Sequence, residues 1–291
     1  MRQMISLETQ ITMTTKNILV IYHHPCLDGF TSAWAAKQAL GDTANYVPGT
    51  YSNDGTLPDV DGRIVYLVDF SYPKDVMIEL ARRASKVIVL DHHKSAQESL
   101  QSLLEDGTIE GEFDMERSGA MITWDYFFPN RPAPEFIEYV QDRDLWTKVL
   151  PLCEEVNMAM FSYEYTFEDW DKIAAKTIDE LKADGVAIWR KHIKDVRELT
   201  EQVQYMTIYG YENIPTVNAN YFYGSDLCDL LCKEKLFSAY YWINSEGEYN
   251  FGLRSDKDFE DAIDVSGVAK AYGGGGHANA AGFRIKDLNE L

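Results

Sequence analysis

The sequence predicts an α/β protein: a parallel sheet with helices on both faces, a helical connector, and a smaller C-terminal α/β domain. The main observation is a set of short apolar runs, at residues 18–22, 64–68 and 86–90, that alternate with helical patterns. Such runs are typical of buried parallel strands. The second observation is that carboxylate or imidazole side chains directly follow each run. Parallel sheets bind ligands at that end of their strands.

The first half of the chain alternates strands and helices. A helical pattern at 30–40 follows the first strand, and a short second strand at 45–47 precedes the polar loop 48–62. The pattern then predicts strands at 64–69 and 87–91, and helices at 73–85, 95–106, 118–128 and 134–141. Proline at the start of the second helix is typical of a first helical turn. This order of elements predicts the parallel sheet.

The second half divides into a helical part and a β-rich part. Residues 167–204 carry long helical patterns without strand signals. Beyond them the pattern predicts strands at 216–219, 237–243, 249–254 and 282–285, and a helix at 265–272. We therefore expect a first domain at 17–165, a connector at 166–205 and a second domain at 206–291.

Composition favours a globular protein that acts on small ligands. Of the 291 residues, 45% are hydrophobic and 25% are charged, which is ordinary for a folded chain. The 27 basic residues against 47 acidic ones give a net charge of −20. This charge repels long nucleic acids, because non-specific affinity comes from neutralising phosphates. We expect neither a long duplex nor a membrane as partner, since no apolar run reaches the roughly 18 residues of a membrane span.

The N-terminal segment and the cysteines bear on location. Residues 1–16 lack the apolar core of a signal peptide, and we expect a loose extension there. The four cysteines form no Cys-x-x-Cys pair, which favours reduced thiols and a cytoplasmic location. The sequence leaves the oligomeric state open, and a homodimer is compatible with it.

Acidic and imidazole side chains collect at the predicted strand ends. They are His23, His24 and Asp28 in the first loop, Asp69 in the second, Asp91, His92 and His93 in the third, and Asp142 and Asp144 in the motif 141–146. A single aspartate after a strand is more often a helix cap than a ligand. Four such groups in one chain instead favour a two-metal hydrolytic centre with a bridging carboxylate. Mixed Asp and His ligation suits Mn²⁺ better than Ca²⁺, and the lack of clustered cysteines argues against structural zinc.

A glycine run near the C-terminus is the second functional signal. Residues 273–276 are all glycine and are followed by His277. Consecutive glycines allow backbone N–H groups to approach a phosphate, to which an adjacent histidine can donate. Arg254, at the end of a predicted strand, offers a guanidinium for a second phosphate oxygen.

Together these motifs resemble the DHH phosphoesterase family in its two-domain form, with a DHH-associated domain at the C-terminus. The resemblance covers about residues 17–285. The matching motifs are Asp91-His92-His93, which names the family, Asp69, the turn Ser118-Gly119-Ala120, the motif 141–144, and Gly274-Gly275-Gly276-His277 with Ala280-Ala281-Gly282.

The resemblance implies a role for each matched residue. Two divalent metal ions would be bound, with Mn²⁺ expected and Mg²⁺ or Co²⁺ as alternatives. Their ligands would be Asp69 as the bridge, His92 and Asp28 with Asp142 or its rival Asp144 at one site, and His23 at the other. His93 would face the scissile phosphate, and Asp91 would orient the histidines. From the second domain, the substrate would be held by Arg254, Gly274, Gly275, Gly276 and His277.

The first motif departs from the family's usual Asp-x-Asp. Here Cys26 takes the position of the first aspartate, as in a branch of the family with His-x-x-Cys-x-Asp-Gly, which residues 23–29 match. The substitution leaves two alternatives open: Cys26 ligates as a thiolate, or that ion is weakly held. His24 could compensate for the lost carboxylate.

The resemblance implies a metal-dependent phosphodiesterase acting on short oligonucleotides or dinucleotides, similar to a nanoRNase or oligoribonuclease. One alternative is a phosphatase for nucleoside 3′,5′-bisphosphates. Another is a nucleotide-binding sensor that has lost turnover with the altered first motif. An inorganic pyrophosphatase is disfavoured, because the glycine-histidine loop suits a nucleotide.

Overall fold

The first part of the chain forms a five-stranded, fully parallel sheet. The structure is a computed structural model, and it describes residues 16–49 and 57–291. The strands are β1 (Ile18–His23), β2 (Ala44–Gly49), β3 (Ile64–Val68), β4 (Lys86–Asp91) and β5 (Glu110–Phe113), in the spatial order β2-β1-β3-β4-β5. The predicted extension at 1–16, apart from its last residue, and much of the predicted loop at 48–62 lie outside the described residues.

Helices cover both faces of this sheet. They are α1 (Leu27–Leu40), α2 (Lys74–Arg83), α3 (Lys94–Glu105), α4 (Gly119–Phe127), α5 (Glu135–Asp144), α6 (Cys153–Phe161) and α7 (Phe167–Ala174). One core lies between the sheet and the helices α1, α4, α5, α6 and α7, and a second lies under α2 and α3. Trp170 of α7 is buried in the first core, where its indole N–H donates to Thr31. The predicted fold class is confirmed.

A long helix, α8 (Ile178–Thr200), packs at both of its ends. It begins with a capping box, in which Thr177 and Glu180 each bond the other's backbone N–H. Ile178 and Leu181 belong to the core of the first part, while Val196 packs with residues that follow position 205. The domain limits at 165 and 205 stay a prediction.

The last part of the chain forms a six-stranded mixed sheet with two helices. Its elements are β6 (Gln204–Ile208), β7 (Tyr211–Asn218), α9 (Tyr221–Leu231), β8 (Ser238–Ile243), β9 (Tyr249–Arg254), α10 (Val265–Ala271), β10 (Gly275–His277) and β11 (Ala280–Ile285). The spatial order is β10-β11-β9-β8-β7-β6, and among these pairs only β7 and β8 are parallel. Short 3₁₀ helices lie at Gly41–Thr43 and Leu288–Glu290. None of the described helices is both long and apolar enough to pass through a bilayer.

Candidate metal centre

The site lies where the strand order of the first sheet reverses. β1 and β3 are neighbours, with β2 outside β1 and β4 outside β3. A crevice forms beyond the carboxyl ends of the strands at such a reversal. His23 ends β1, Asp69 follows β3, and His92 and His93 follow β4, so four side chains named from the sequence lie at this crevice.

His92 lies among three carboxylates. Its Nε2 is 3.1 Å from Asp69 Oδ1, 3.5 Å from Asp144 Oδ2 and 3.7 Å from Asp28 Oδ2. His23 approaches the other oxygen of Asp69, with 3.4 Å between Nδ1 and Oδ2. Asp69 therefore presents each of its oxygens to a different histidine, as a carboxylate that bridges two ions would.

Three overlapping groups of side chains have the geometry of metal-binding sites. In each group the ligand atoms lie within 4.8 Å of one another, and the groups are Asp28–His92–Asp144, His23–Asp69–His93 and His92–His93–His277. The first two groups come from the first part of the chain, and the third adds a histidine from the last part.

The N-terminus of α4 holds the Asp28 carboxylate. Backbone N–H groups of Gly119 and Ala120 donate to its two oxygens, over 2.6 Å and 3.0 Å. A helix N-terminus favours negative charge, because its first N–H groups have no partner within the helix. Gly119 has no room for a side chain, since a Cβ there would lie 2.4 Å from the Cβ of Asp69. Ser118 caps the same helix by accepting from the Met121 N–H.

Asp91 holds both histidines of its motif in place. Its Oδ1 accepts from the backbone N–H of His92 at 2.8 Å and from that of His93 at 3.2 Å. The same oxygen lies 2.7 Å from His93 Nδ1, so the ring donates there and leaves Nε2 as its second nitrogen. Ser71 donates to the other oxygen of Asp91 at 3.1 Å. A lone serine carries no sequence signal, and the sequence did not indicate Ser71.

The backbone at Asp69 is in the left-handed region, with φ of 52°. Its N–H donates to the Leu90 carbonyl at 2.9 Å, which joins the ends of β3 and β4. A residue with a Cβ pays a conformational cost in this region, and such residues cluster at functional sites.

The cluster redistributes protons among its members. Burial, together with the charges of Asp69 and Asp144, raises the pKa of Asp28 well above its usual value. Burial alone would raise the pKa of Asp69, but hydrogen bonds from His23 and His92 hold it well below the usual value. Burial would lower the pKa of His92, yet Asp144, Asp69 and Asp28 raise it well above the usual value. The clustered carboxylates therefore bring together more negative charge than neutral histidines can balance. This imbalance favours protons on Asp28 and on His92.

Asp142 does not lie in the cluster, and the prediction that it completes the metal site is corrected. Its Oδ1 accepts from the Thr147 hydroxyl and the Val149 N–H, and its Oδ2 from the Leu150 N–H. All of these groups belong to the loop that follows α5, so this carboxylate shapes the loop. Asp144, two residues further on, is the one that faces His92. Both lie in the last turn of α5, and the sequence could not distinguish them.

The last part of the chain contributes His277 to the site. Its ring stacks on His93 with centroids 4.6 Å apart and lies 4.8 Å from His92. Burial, with the nearby His93 and His92, lowers the pKa of His277 to about 2, so the imidazole is neutral. A neutral imidazole can both donate and accept a hydrogen bond.

The glycine run contacts the start of α3. Gly275 and Gly276 are part of β10, so the run is partly a strand and not wholly a loop. The Gly276 N–H donates to Ser95 Oγ at 3.1 Å, and a Cβ at Gly274 would lie 2.0 Å from the Gly282 carbonyl oxygen. Ser95, too, had no sequence signal.

Arg254 is outside the cluster. Its guanidinium donates to Ser225 Oγ and to the Leu253 carbonyl, each at 2.8 Å. Arg254 lies opposite Ala280 in the sheet, and Ala280 pairs with His277 on its other side. Its role in holding the substrate stays a prediction.

Cys26 and His24 border the site without joining the three groups. Burial, followed by the charges of Asp69, Asp144 and Asp28, raises the pKa of Cys26 well above its usual value. The His24 ring packs edge-on against Tyr165, with ring centroids 6.1 Å apart.

The donor set fits divalent cations. In the ion pairs of the described residues, Asp28, Asp69 and Asp144 face imidazoles and no lysine or arginine. Nδ1 of His92 is buried and has no hydrogen-bond partner among the residues that the structure describes. Burying several carboxylates together without a cation is unfavourable. Oxygen and imidazole ligands suit divalent ions such as Mn²⁺.

Comparison with known proteins gives relatives along nearly the whole chain, although no family model matches. An uncharacterized protein of Acanthamoeba polyphaga mimivirus is 32% identical over 93% of this chain and 68% of its own length. The oligoribonuclease NrnB of Bacillus subtilis is 25% identical over 92% of this chain and 73% of its own.

Two solved structures share the fold. One is the DHH domain of a member of a family of ribosomal proteins, with a TM-score of 0.59, 13% identity, and coverage of 93% of this chain and 83% of that one. The other is the pGpG-specific phosphodiesterase PggH of Vibrio cholerae, with a TM-score of 0.51, 15% identity, and coverage of 94% and 95%.

Proposed function

Because this chain belongs to the DHH phosphoesterase family, we propose that it hydrolyses the phosphodiester bonds of short oligonucleotides or dinucleotides. The observation that carries the proposal is Asp69, whose two oxygens face His92 and His23 at the crevice of the parallel sheet. A centre of carboxylates and imidazoles at that place suits metal-assisted hydrolysis. The relatives named as an oligoribonuclease and as a pGpG-specific phosphodiesterase agree with it.

The residues that would hold two divalent ions are those of the first two groups, apart from His93. Asp28, His92 and Asp144 would bind one ion, His23 would bind the other, and Asp69 would bridge them. We propose Mn²⁺, with Mg²⁺ or Co²⁺ able to replace it. Such ions lower the pKa of a water molecule and neutralise charge on phosphoryl oxygens.

His93 would supply the proton that the leaving oxygen needs. Asp91 accepts from Nδ1, so a proton passed to the leaving oxygen would come from the other ring nitrogen, Nε2. Burial would lower the pKa of His93, but Asp91 raises it above the usual value, which favours the protonated ring that a proton donor needs. The Nδ1 bond orients the ring, and Asp91 also holds the backbone N–H groups of His92 and His93, so His93 loses little freedom when it reacts.

The substrate would be bound between the two parts of the chain. His277, from the last part of the chain, stacks on His93, and its neutral imidazole can donate to a phosphate oxygen. The net charge of −20 disfavours a long polyanion. Both features support a short substrate.

The test is a panel of substrates with and without metal. The purified protein, stripped with EDTA and then supplied with Mn²⁺, should hydrolyse 5′-phosphorylated di- to hexanucleotides. Asp69→Asn should lower kcat by at least about a hundredfold, because the bridging carboxylate loses a charged oxygen. Asp179→Asn is the matched control, since Asp179 is 95% exposed and distant in sequence from the motifs.

Each outcome of the panel has a clear meaning. Release of phosphate from nucleoside 3′,5′-bisphosphates, without cleavage of the oligonucleotides, would replace the proposal by a phosphomonoesterase. Binding of dinucleotides without any metal-dependent product would replace it by a nucleotide sensor. Equal activity of Asp69→Asn and Asp179→Asn would remove the metal centre from the reaction.

A further inference from the structure

Two adjacent aromatic side chains stand exposed at the start of α9. Tyr221 is 48% exposed and Phe222 is 55% exposed. Tyr221 packs against Trp242, with ring centroids 5.7 Å apart, and Trp242 in turn stacks on Tyr240. Tyr221 is therefore held on a half-buried tryptophan that is backed by the buried Tyr240, and Phe222 packs beside Tyr221 with ring centroids 5.6 Å apart.

A series of contacts links the start of α9 to the residues predicted to hold the substrate. Ser225, one helical turn after Tyr221, accepts from the Arg254 guanidinium at 2.8 Å. Arg254 lies opposite Ala280, which pairs with His277. Since His277 stacks on His93, the first turn of α9 is joined to the candidate metal centre through one row of the sheet.

Tyr221 also acts electrostatically on Tyr165 in the first part of the chain. Tyr165 stacks on Phe30 at 5.6 Å and packs edge-on against His24 in the first loop. Burial raises the pKa of Tyr165, and Cys26 and Tyr221 raise it further.

We propose that Tyr221 and Phe222 form a stacking platform for a nucleobase of the substrate, on a nucleotide next to the cleaved phosphodiester bond. The inference rests on the proposed function, which it deepens by adding a base-binding site. Stacking on aromatic rings does not depend on the sequence of bases or on basic residues. It therefore suits a chain with a net charge of −20, which cannot gain affinity by neutralising many phosphates.

The kinetic test uses Tyr221→Ala and Phe222→Ala with two substrates. One is a dinucleotide, and the other is the same molecule with an abasic ribose at one position. Each variant should lower kcat/KM for the dinucleotide about 5- to 150-fold, mainly by raising KM, and should change the abasic substrate little. Phe222→Trp should keep the wild-type preference for the intact base.

Tyr205→Ala is the matched control. Tyr205 is 63% exposed and lies on β6, at the opposite edge of the sheet from β10. It should behave as wild type with both substrates. If Tyr221→Ala and Phe222→Ala also match it, the platform does not exist.

A binding measurement separates this inference from the proposed function. Metal-free protein in EDTA is titrated with a dinucleotide that contains 2-aminopurine, whose fluorescence is quenched when it stacks. Wild type, Phe222→Trp and Tyr205→Ala should quench it, and Phe222→Ala should weaken binding 5- to 150-fold, or about 1–3 kcal/mol. Quenching without turnover of any nucleotide would refute the proposed function and support the platform. Turnover, with binding by the variants unchanged, would support the proposed function and refute the platform.

Discussion

Replacing Asp226 with alanine should destabilise the protein strongly, because it removes one of the two carboxylates that pair with a buried arginine. Arg143, between the two aspartates at the end of α5, donates to Asp226 of α9 at 2.9 Å. Asp226 also lies 2.8 Å from His192 Nε2 on α8, and Arg143 pairs with Glu154 on α6. The Arg143 and Asp226 side chains are 10% and 5% exposed, so water screens this network weakly.

The magnitude follows from this burial. Removing one partner of a buried ion pair costs about 3–5 kcal/mol, since the other charge stays desolvated. Glu154 still faces Arg143 in the variant, which places the expected loss at the lower end, about 3 kcal/mol. Glu198→Ala is the comparison: its pair with Lys194 on α8 is more than 60% exposed, and such pairs contribute about 0–1 kcal/mol.

The assay is urea denaturation, followed by circular dichroism and by tryptophan fluorescence. Agreement of the two probes establishes that a single free energy of unfolding applies. The double variant Arg143→Met with Asp226→Ala should lose less than the sum of the single losses, because the two changes remove one shared interaction. A loss for Asp226→Ala no larger than that for Glu198→Ala would refute the view of a desolvated network.

Three further predictions concern the site and its surroundings. Asp144→Asn should lower metal-dependent turnover at least tenfold with little change in the free energy of unfolding. Asp142→Asn should instead lower the free energy of unfolding by about 1–3 kcal/mol. Initial rates measure the turnover, and calorimetry measures the stability. Gly119→Ala should weaken metal binding, measured by titration with Mn²⁺, because the new Cβ displaces Asp69. Burial opposes ionisation of Asp226, yet Arg143 and His192 hold the pKa of this carboxyl below its usual value. The stability that Asp226 contributes is therefore fully present above its unfolded-state pKa. That stability is lost as the pH falls through the lower folded-state pKa. Wild type should therefore lose stability below about pH 4 more steeply than Asp226→Ala, as acid titration of the unfolding free energy would detect.

The fold class could be predicted because its central strands are continuous apolar runs. β1, β3 and β4 are almost wholly buried, and the sequence shows each of them plainly. β5, with the residues Glu-Gly-Glu-Phe, is a mostly exposed edge strand without an apolar run, and the sequence analysis did not find it. It also missed α9, which begins Tyr-Phe-Tyr-Gly, residues with weak helix propensity.

The site could be predicted where its ligands follow strands. His23, Asp69 and His92 lie at the strand ends that the apolar runs announce. The choice between Asp142 and Asp144 could not be made from the sequence. The two residues lie on different sides of one helical turn, and the rotation of the helix about its axis decides which of them faces the site. The pairing of Arg143 with a residue 83 positions later is set by packing of α5, α8 and α9, and no local pattern encodes it.

The last turn of α5 has a consequence for insertions and deletions. Asp142, Arg143 and Asp144 point to the following loop, to α9 and to the crevice, and successive helical residues are about 100° apart around the axis. Losing one residue upstream within this helix would rotate the turn by that angle and bring a guanidinium towards the carboxylates. Related proteins with the same site should therefore carry insertions and deletions outside α5. In them, the spacing of these three residues from the start of the helix should be constant.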